Sequence, residues 1–223
     1  MKATGKIGIL NSFQLKIIAM ILMVIDHIGA ILLPEYRLLR IIGRLAFPIF
    51  AFLLVVGFHH TRDVWKYLLR LAVFAAVTEV IFDMAFFNKA LDFSHQNVFF
   101  TLALGILMLI LFEKSFGWPV KLMTAVICML VADLIRCDYS SGGLILILCM
   151  HLAYKRSVWL RAFSVIAGNM VIALPALGIQ LYGCLAAVPI ALYNGREGRK
   201  MKYVFYVFYP LHLLILFIVK ILI

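Results

Sequence analysis

Apolar runs of about 20 residues follow one another along almost the whole chain, and this feature constrains the fold most. A helix needs about 20 apolar residues to cross the hydrocarbon core of a bilayer. Of the 223 residues, 65% are hydrophobic, well above the level of soluble domains. The pattern predicts an all-α fold: a polytopic transmembrane helical bundle of about nine spans, between roughly eight and ten, in a single domain over residues 1–223. The predicted spans are residues 13–33, 39–58, 67–87, 97–113, 119–136, 140–154, 158–177, 178–193 and 203–222.

The basic residues predict which way the chain is inserted. Loops rich in Lys and Arg stay in the cytoplasm, and most of the 21 lysines and arginines lie on the cytoplasmic side if the N-terminus does. We therefore expect a cytoplasmic N-terminus. Contact with anionic lipid also explains this positive excess, and an anionic cytosolic ligand such as a nucleotide-bearing cofactor is compatible with it.

Several classes of function find no support in the sequence. It has no Walker A loop and no dinucleotide-binding fingerprint, which argues against ATP-driven and hydride-transfer chemistry. Its 4 cysteines form no CxxC pair and have no histidine at ligand spacing, so we expect neither a disulfide nor a metal site. We also expect no nucleic-acid partner.

Ionisable residues inside the apolar runs are the main functional signal. A charge at the centre of a spanning helix costs roughly 2.5–3.5 kcal/mol, so such residues usually face a protein interior or a wet cavity. Because they recur at one depth in five segments, we predict that they meet in a hydrated chamber near the extracytoplasmic surface. The residues are Asp26 and His27, Arg40 and Arg44, Glu79 and Asp83, His95 to Asn97, and Asp133 with Arg136. For Asp133 and Arg136 the favoured explanation is that they neutralise each other near the surface.

Asp26 and His27 are neighbours within the apolar stretch IAMILMVIDHIGAILL (18–33). An imidazole held by a carboxylate can act as a general base on a hydroxyl or amine, or accept an acyl group itself. A buried arginine can neutralise the oxyanion of an acyl-transfer intermediate. We therefore take His27 as the candidate catalytic residue, oriented by Asp26 and assisted by Arg44. Arg40 fits a snorkelling interfacial residue as well as it fits a site role.

The last span, YVFYVFYPLHLLILF (203–217), places Tyr206, Tyr209 and His212 at three-residue spacing around Pro210. Proline removes one helical hydrogen bond, and a histidine two residues later fits the lining of a tunnel. An aromatic stripe is more often packing, but His212 at this depth needs a partner or water.

Four stretches of the chain resemble the TraX family of bacterial membrane proteins, whose namesake is the conjugative pilin N-acetylase. They cover most of the N-terminal half and the last helix, and residues 119–200 resemble the family only loosely. The stretches are LKIIAMILMVIDHIG (15–29), RIIGRLAFPIFAFLLVVGFHHT (40–61), QNVFFTLALGIL (96–107) and YPLHLLIL (209–216).

The resemblance implies a multi-pass protein of the bacterial cytoplasmic (inner) membrane. The family is similar to transmembrane acyltransferases that are taken to use cytoplasmic acyl-CoA and a histidine in an early helix. This implies corresponding roles for His27 and Arg44, whereas His212 matches a motif without a stated role. Val56 stands where an acid is expected in many relatives, so a carboxylate partner from that position is absent here.

The favoured interpretation is an acyl-CoA-dependent membrane O- or N-acetyltransferase with acetyl-CoA as donor. The acyl arm would reach into the bundle past Tyr209 and His212, and Asn97 would bind the acyl carbonyl or the acceptor, with Asp83 near it. The acceptor would be an extracytoplasmic protein N-terminus, glycan or small molecule. The candidates for binding the CoA phosphates are Arg62, Lys66, Arg156, Arg196, Arg199 and Lys200.

Two other interpretations stay open. A proton-coupled transporter or channel would use the same buried groups as a relay, and it would show solute-dependent flux without consuming a thioester. A scaffold for pilus or envelope assembly would tolerate alanine at His27 and Arg44 together.

Overall fold

The computed structural model describes residues 8–174, 178–199 and 202–223, and this part of the chain is helical apart from short connections. Only isolated β-bridges, Leu10–Tyr193 and Gln96–Cys137, interrupt the helical pattern there. The elements are α1 Ser12–Ile31, α2 Arg37–Gly43, α3 Ala46–His60, α4 Val64–Phe87, α5 Val98–Lys114, α6 Trp118–Leu134, α7 Ser140–Ala153, α8 Val158–Ala173, a 3-10 helix Ile179–Ala186, α9 Ala187–Ala191 and α10 Lys202–Leu222.

The predicted all-α fold is confirmed, and each of the predicted spans contains helix. Within the described residues, three helices are long and apolar enough to cross a membrane by length and composition. They are Ser12–Ile31, the α2–α3 stretch Arg37–His60, and Tyr203–Leu222. Residues 175–177, at the end of the seventh predicted span, lie outside the described residues.

Prolines explain two departures from the predicted spans. Span 39–58 is divided between α2 and α3 by a turn at Arg44 and Leu45. Pro48 has no N–H to donate to the carbonyl of Arg44 four residues earlier, which removes one helical hydrogen bond and favours the turn there. In span 178–193 the chain is a 3-10 helix up to Ala186 and α-helical only from Ala187, and Pro189 removes the equivalent bond.

Side chains fix where the helices begin and end. Asn11 and Gln14 form a reciprocal capping box at the start of α1, with both hydrogen bonds at 2.9 Å. Asn97 caps α5. Lys220 of α10 donates to the carbonyl of Ala85 (3.1 Å) and to Asn88 Oδ1 (3.0 Å), which satisfies the end of α4 and ties α10 to it.

The core runs through α1, α3, α5 and α7, whose inward side chains are almost fully buried. The α7 and α8 backbones approach closely, because a Cβ on Gly168 would meet Leu146. Outward faces of α4, α6 and α10 expose apolar side chains, which suits contact with lipid rather than water. Examples are Val73 and Val77, Leu122, Val126 and Leu130, and Val207, Leu211 and Ile218.

The two ends of the bundle are named here after the ends of α1. At the Asn11 end, Leu10 pairs with the chain after α9 through Leu10 N to Leu192 O (3.0 Å) and Asn194 N to Leu10 O (2.8 Å). At the Ile31 end, the loop between α4 and α5 pairs with the connection between α6 and α7.

Candidate active site

The carboxylate of Asp26 accepts hydrogen bonds from two arginines. Arg44 Nη2 donates to both carboxylate oxygens at 2.6 Å and its Nε donates to Oδ1 at 3.2 Å. Arg40 Nη1 donates to Oδ2 at 2.5 Å and to the Asp26 carbonyl at 3.0 Å. Two guanidinium groups around one carboxylate leave the cluster with one net positive charge.

The division between α2 and α3 creates this cluster. Arg40 lies in the last turn of α2, and Arg44 follows it at the turn. Gly43 lies so close to Asp26 that any Cβ there would collide with the Asp26 backbone and side chain. The absence of a side chain at position 43 therefore lets α2 approach α1 closely enough for both guanidinium groups to reach one carboxylate.

His27 pairs with His212 rather than with Asp26. We expected Asp26 to orient His27, but the described hydrogen bonds of the Asp26 carboxylate go to the arginines. His27 Nδ1 lies 2.7 Å from His212 Nε2, and the two rings are parallel within 4°. The carboxylate expected as the partner of His27 is therefore replaced by the imidazole of His212, which α10 contributes.

The hydrogen bonds of His212 define the proton positions in this pair. His212 Nδ1 lies 2.9 Å from the Phe208 carbonyl, which can only accept, so Nδ1 carries the proton. In neutral His212, Nε2 then accepts, and His27 Nδ1 donates to it. Neutral His27 is left with its lone pair on Nε2, the form that a general base or a nucleophile requires.

His27 and the Asp26 cluster line a cavity of about 430 Å³, which we call the Asp26 cavity. Tyr209 also lines it, as predicted for the acyl tunnel, whereas His212 contributes through His27. Its other walls are mainly aromatic. The lining includes Met23, Phe47, Phe50, Phe82, Phe86, Phe87, His95, Phe99, Leu102, Asp138, Tyr139 and Phe205.

Asn97 and Asp83 do not line the Asp26 cavity, and their side chains form hydrogen bonds with neighbouring helices and loops instead. Asn97 Nδ2 donates to the Ala75 carbonyl (2.9 Å) and to Glu79 Oε2, while its Oδ1 accepts from Phe99 N (3.0 Å). Asp83 is fully buried, and its Oδ2 accepts from Asp92 N at 2.7 Å. Both side chains hold the loop before α5, and neither lines the Asp26 cavity.

A second cavity, of about 360 Å³, lies toward the Asn11 end, and we call it the Lys16 cavity. Of the predicted phosphate-binding residues only Arg199 lines it. Arg62, Lys66, Arg156 and Arg196 are exposed away from the lining, and Lys200 lies outside the described residues. The polar lining is Lys16, His60, Thr61, Tyr67, Arg70, Glu197, Arg199 and Tyr206.

The two cavities share part of their walls. Phe50, Phe99, Leu102 and Phe205 line both of them. Lys16 and His27 are eleven residues apart on α1, so about 16 Å of helix separates the polar groups of the two cavities. One layer of apolar side chains therefore lies between a basic cavity and a cavity that holds imidazole and guanidinium groups.

Sequence reasoning missed three features of the site. For the His27–His212 contact, the sequence indicated only that a buried His212 needs a hydrogen-bond partner, and not which residue that partner is. Lys16 and Arg70 differ from the loop basics because they lie inside helices, where a charge is costly unless it serves a wet cavity. His95 and Asp138 line the Asp26 cavity from two loops whose pairing has no local signature in sequence. Within the described residues no group of metal-ligating side chains forms.

Comparisons with known proteins identify relatives of the chain. The family model described as TraX protein matches residues 12–220. A probable fimbrial assembly protein FimC, serogroup H1, of Dichelobacter nodosus is 31% identical over 210 residues, 85% of each chain. An uncharacterized protein, RP591, of Rickettsia prowazekii (strain Madrid E) is 32% identical over 101 residues, 45% of this chain and 37% of that protein. No solved structure matches significantly. With a family match over nearly its whole length and apolar helices suited to a bilayer, the chain is a bacterial membrane protein that belongs to the TraX family.

Proposed function

We propose that the protein is a membrane acyltransferase that moves an acetyl group from cytosolic acetyl-CoA to an amine or hydroxyl at the extracytoplasmic surface. In this proposal the chain crosses the bacterial inner membrane several times with its N-terminus in the cytoplasm. The Lys16 cavity then opens toward the cytosol and the Asp26 cavity toward the outside. The observation that carries the proposal is the pair of cavities on either side of one apolar layer.

The Lys16 cavity suits the donor. Lysine and arginine bind phosphate through charge-assisted hydrogen bonds, and Lys16, Arg70 and Arg199 line this cavity. A volume of about 360 Å³ accommodates the flexible thiol arm of CoA, with the phosphates at the mouth. The exposed arginines and lysines around the Asn11 end add a positive field that attracts an anionic ligand.

The Asp26 cavity suits the transfer step. A nitrogen or oxygen of the acceptor attacks the acyl carbon, the carbon–sulfur bond breaks, and CoA leaves as a thiolate that takes a proton from water. The net positive charge of Arg40 and Arg44 around Asp26 stabilises the oxyanion that forms during the attack. His27 Nε2 either accepts the acceptor's proton or first carries the acyl group itself.

The test uses purified protein in nanodiscs with radiolabelled acetyl-CoA. We expect wild-type protein to bind acetyl-CoA and release CoA thiol. We expect His27→Gln to bind it equally well but to lose at least about 100-fold in kcat, the usual contribution of a general base. The kcat of His212→Phe should fall by a similar factor, because this substitution removes the nitrogen that accepts the hydrogen bond from His27 Nδ1.

The matched control is His151→Gln. His151 is also a buried helical histidine with a polar partner, Glu113 at 2.7 Å, but it lines neither cavity. Its replacement should leave turnover unchanged. No binding, labelling or thioester turnover by the wild-type protein would remove the enzyme proposal, and solute-dependent flux in liposomes without acetyl-CoA would favour the transporter instead.

A further inference from the structure

A second imidazole lies at the edge of the Asp26 cavity. His95 belongs to the loop between α4 and α5, and Asp138 to the connection between α6 and α7. The bridge between Gln96 and Cys137, with Gln96 N donating to the Arg136 carbonyl at 3.0 Å, brings these loops together. His95 Nε2 lies 3.2 Å from Asp138 Oδ1, and both side chains line the cavity.

Side-chain exposure places this pair at the mouth of the cavity. His95 is 39% exposed and Asp138 33%, against 14% for Arg44 and 10% for Asp26. The pair therefore contacts both the cavity and the surrounding solvent.

Two aromatic rings lie between His95 and His27. Ring centroids are 6.1 Å apart for His95 and Phe82, 4.7 Å for Phe82 and Phe86, and 5.5 Å for Phe86 and His27. The two imidazoles are thus separate groups in one cavity, one deep and one at the edge, and an acceptor entering from the edge meets His95 first.

The hydrogen bonds of the deep pair connect it to no other titratable group among the described residues. His27 donates to His212, and His212 donates to the Phe208 carbonyl, where the chain of donors ends. An acceptor that forms an amide or an ester must lose a proton. His95 Nδ1 has no hydrogen bond among the described residues, and this nitrogen is free to accept that proton next to solvent.

We propose that His95 is the base for the acceptor and that Asp138 is its positioning residue, an assignment that rests on the proposed acyl transfer. As the acceptor nitrogen or oxygen bonds to the acyl carbon, its proton passes to His95 Nδ1 and from there to extracytoplasmic water. The acyl group has by then passed from the CoA sulfur to His27 Nε2, and its bond to that nitrogen breaks in the same step. Asp138 accepts the Nε2–H of His95 and stabilises the imidazolium that forms.

The charges around His95 set the direction of its titration. The hydrogen bond to Asp138 raises the pKa of His95 above its usual value, against the effect of desolvation. The negative charge of Glu79 also raises the pKa of His95. Across the cavity, Arg40 and Arg44 face it together with Asp26. Since only the neutral imidazole accepts a proton, the rate should rise with pH through this raised pKa.

The test measures CoA thiol release against pH in nanodiscs, with water and with glycinamide as acceptors, and acetyl-CoA binding in parallel. Water does not titrate over this range, so a rising limb of its profile reports a group of the protein. His95→Gln should lose at least about 100-fold in acceptor-dependent turnover and lose the limb. In Asp138→Asn the rising limb of the rate–pH profile should remain but move to lower pH. In Asp138→Glu it should return to the pH at which the wild type shows it.

The matched control is Lys89→Gln, which removes an exposed lysine paired with Asp92 in the same loop and touches neither cavity. It should keep the wild-type rate and pH profile. Unchanged acetyl-CoA binding shows that each variant is folded. A wild-type rate and profile in His95→Gln, or bound acetyl-CoA that the wild type never turns over with either acceptor, would overturn the assignment of His95. Failure of the wild type to bind acetyl-CoA would instead contradict the proposed function as a whole.

Discussion

At the scale of single residues, Asp26 is a structural counter-ion as much as a site residue. Its carboxylate is the common acceptor for Arg40 and Arg44, and each guanidinium is mostly buried. Removing one partner of a buried ion pair leaves an uncompensated charge in a low-dielectric region. The acid that stands out in the first apolar run therefore holds two arginines beside the Asp26 cavity.

We expect Asp26→Asn to lower the free energy of unfolding by about 3 kcal/mol, the cost of leaving the buried arginines without a full counter-charge. Thermal or denaturant unfolding in nanodiscs measures this. The control is Lys66→Gln, which removes an ion pair with Asp63 whose side chains are 76% and 42% exposed, so no measurable change is expected. Equal stability of Asp26→Asn and wild type would show that the arginines do not depend on this carboxylate.

At the scale of elements, α4 holds the loop that carries His95. Asp83 accepts from Asp92 N, and Glu79 accepts from Asn97 N at 3.1 Å and from the Asn97 side chain. Asn97 is also the N-cap of α5. The polar residues on α4 thus anchor the start of α5 and the loop before it, although at the sequence level they look like members of a reactive chamber.

We expect Asn97→Ala to lower the free energy of unfolding by about 2 kcal/mol, because it removes a helix cap and leaves Glu79 with fewer donors. Turnover per folded molecule should stay within about twofold of wild type, since Asn97 lies outside both cavities. Unfolding curves and acetyl-CoA turnover on the same preparation separate the two effects. Ser157→Ala, which removes the exposed cap of α8, is the comparison for loss of a cap alone. A large loss of kcat without a loss of stability would contradict this prediction and would indicate that Asn97 acts in catalysis.

At the scale of the whole molecule, the described residues form a cavity toward each end of α1. Phe50 and Phe99 line both cavities together with Leu102 and Phe205. In the proposed reaction, the acyl group crosses only this layer while the rest of each substrate stays on its own side. Closure of the layer by a larger side chain should therefore stop transfer and spare binding.

We expect Leu102→Trp to reduce turnover at least about tenfold while acetyl-CoA binding stays near wild type, with about 1–3 kcal/mol of strain from overpacking. Binding and thiol release measured in parallel distinguish a blocked passage from a lost donor site. Leu111→Trp on the same helix, where the side chain is 37% exposed, should change neither. Equal turnover in the Leu102 variant would show that the acyl group does not pass this layer.

The sequence allowed the helical fold and part of the site to be predicted, and the limits have physical causes. Apolar length marks helices reliably, and the cost of buried charge singled out Asp26, His27 and Arg44, which do line one cavity. The partner of each group depends on how helices distant in sequence pack, so the contact of His27 with His212 could not be derived from spacing. The position of Asn97 in the sequence indicated that it lies at the start of a helix, but it could not show which way the side chain faces.

The thin layer between the cavities also bears on the electric field in the protein. If the two cavities open to opposite sides of the membrane, as proposed, and hold water, most of the transmembrane voltage would fall across the side chains that separate them. An elementary charge that crosses the whole drop gains or loses about 2.3 kcal/mol per 100 mV. A thiolate or imidazolium formed next to this layer would therefore make the reaction rate respond to the membrane potential.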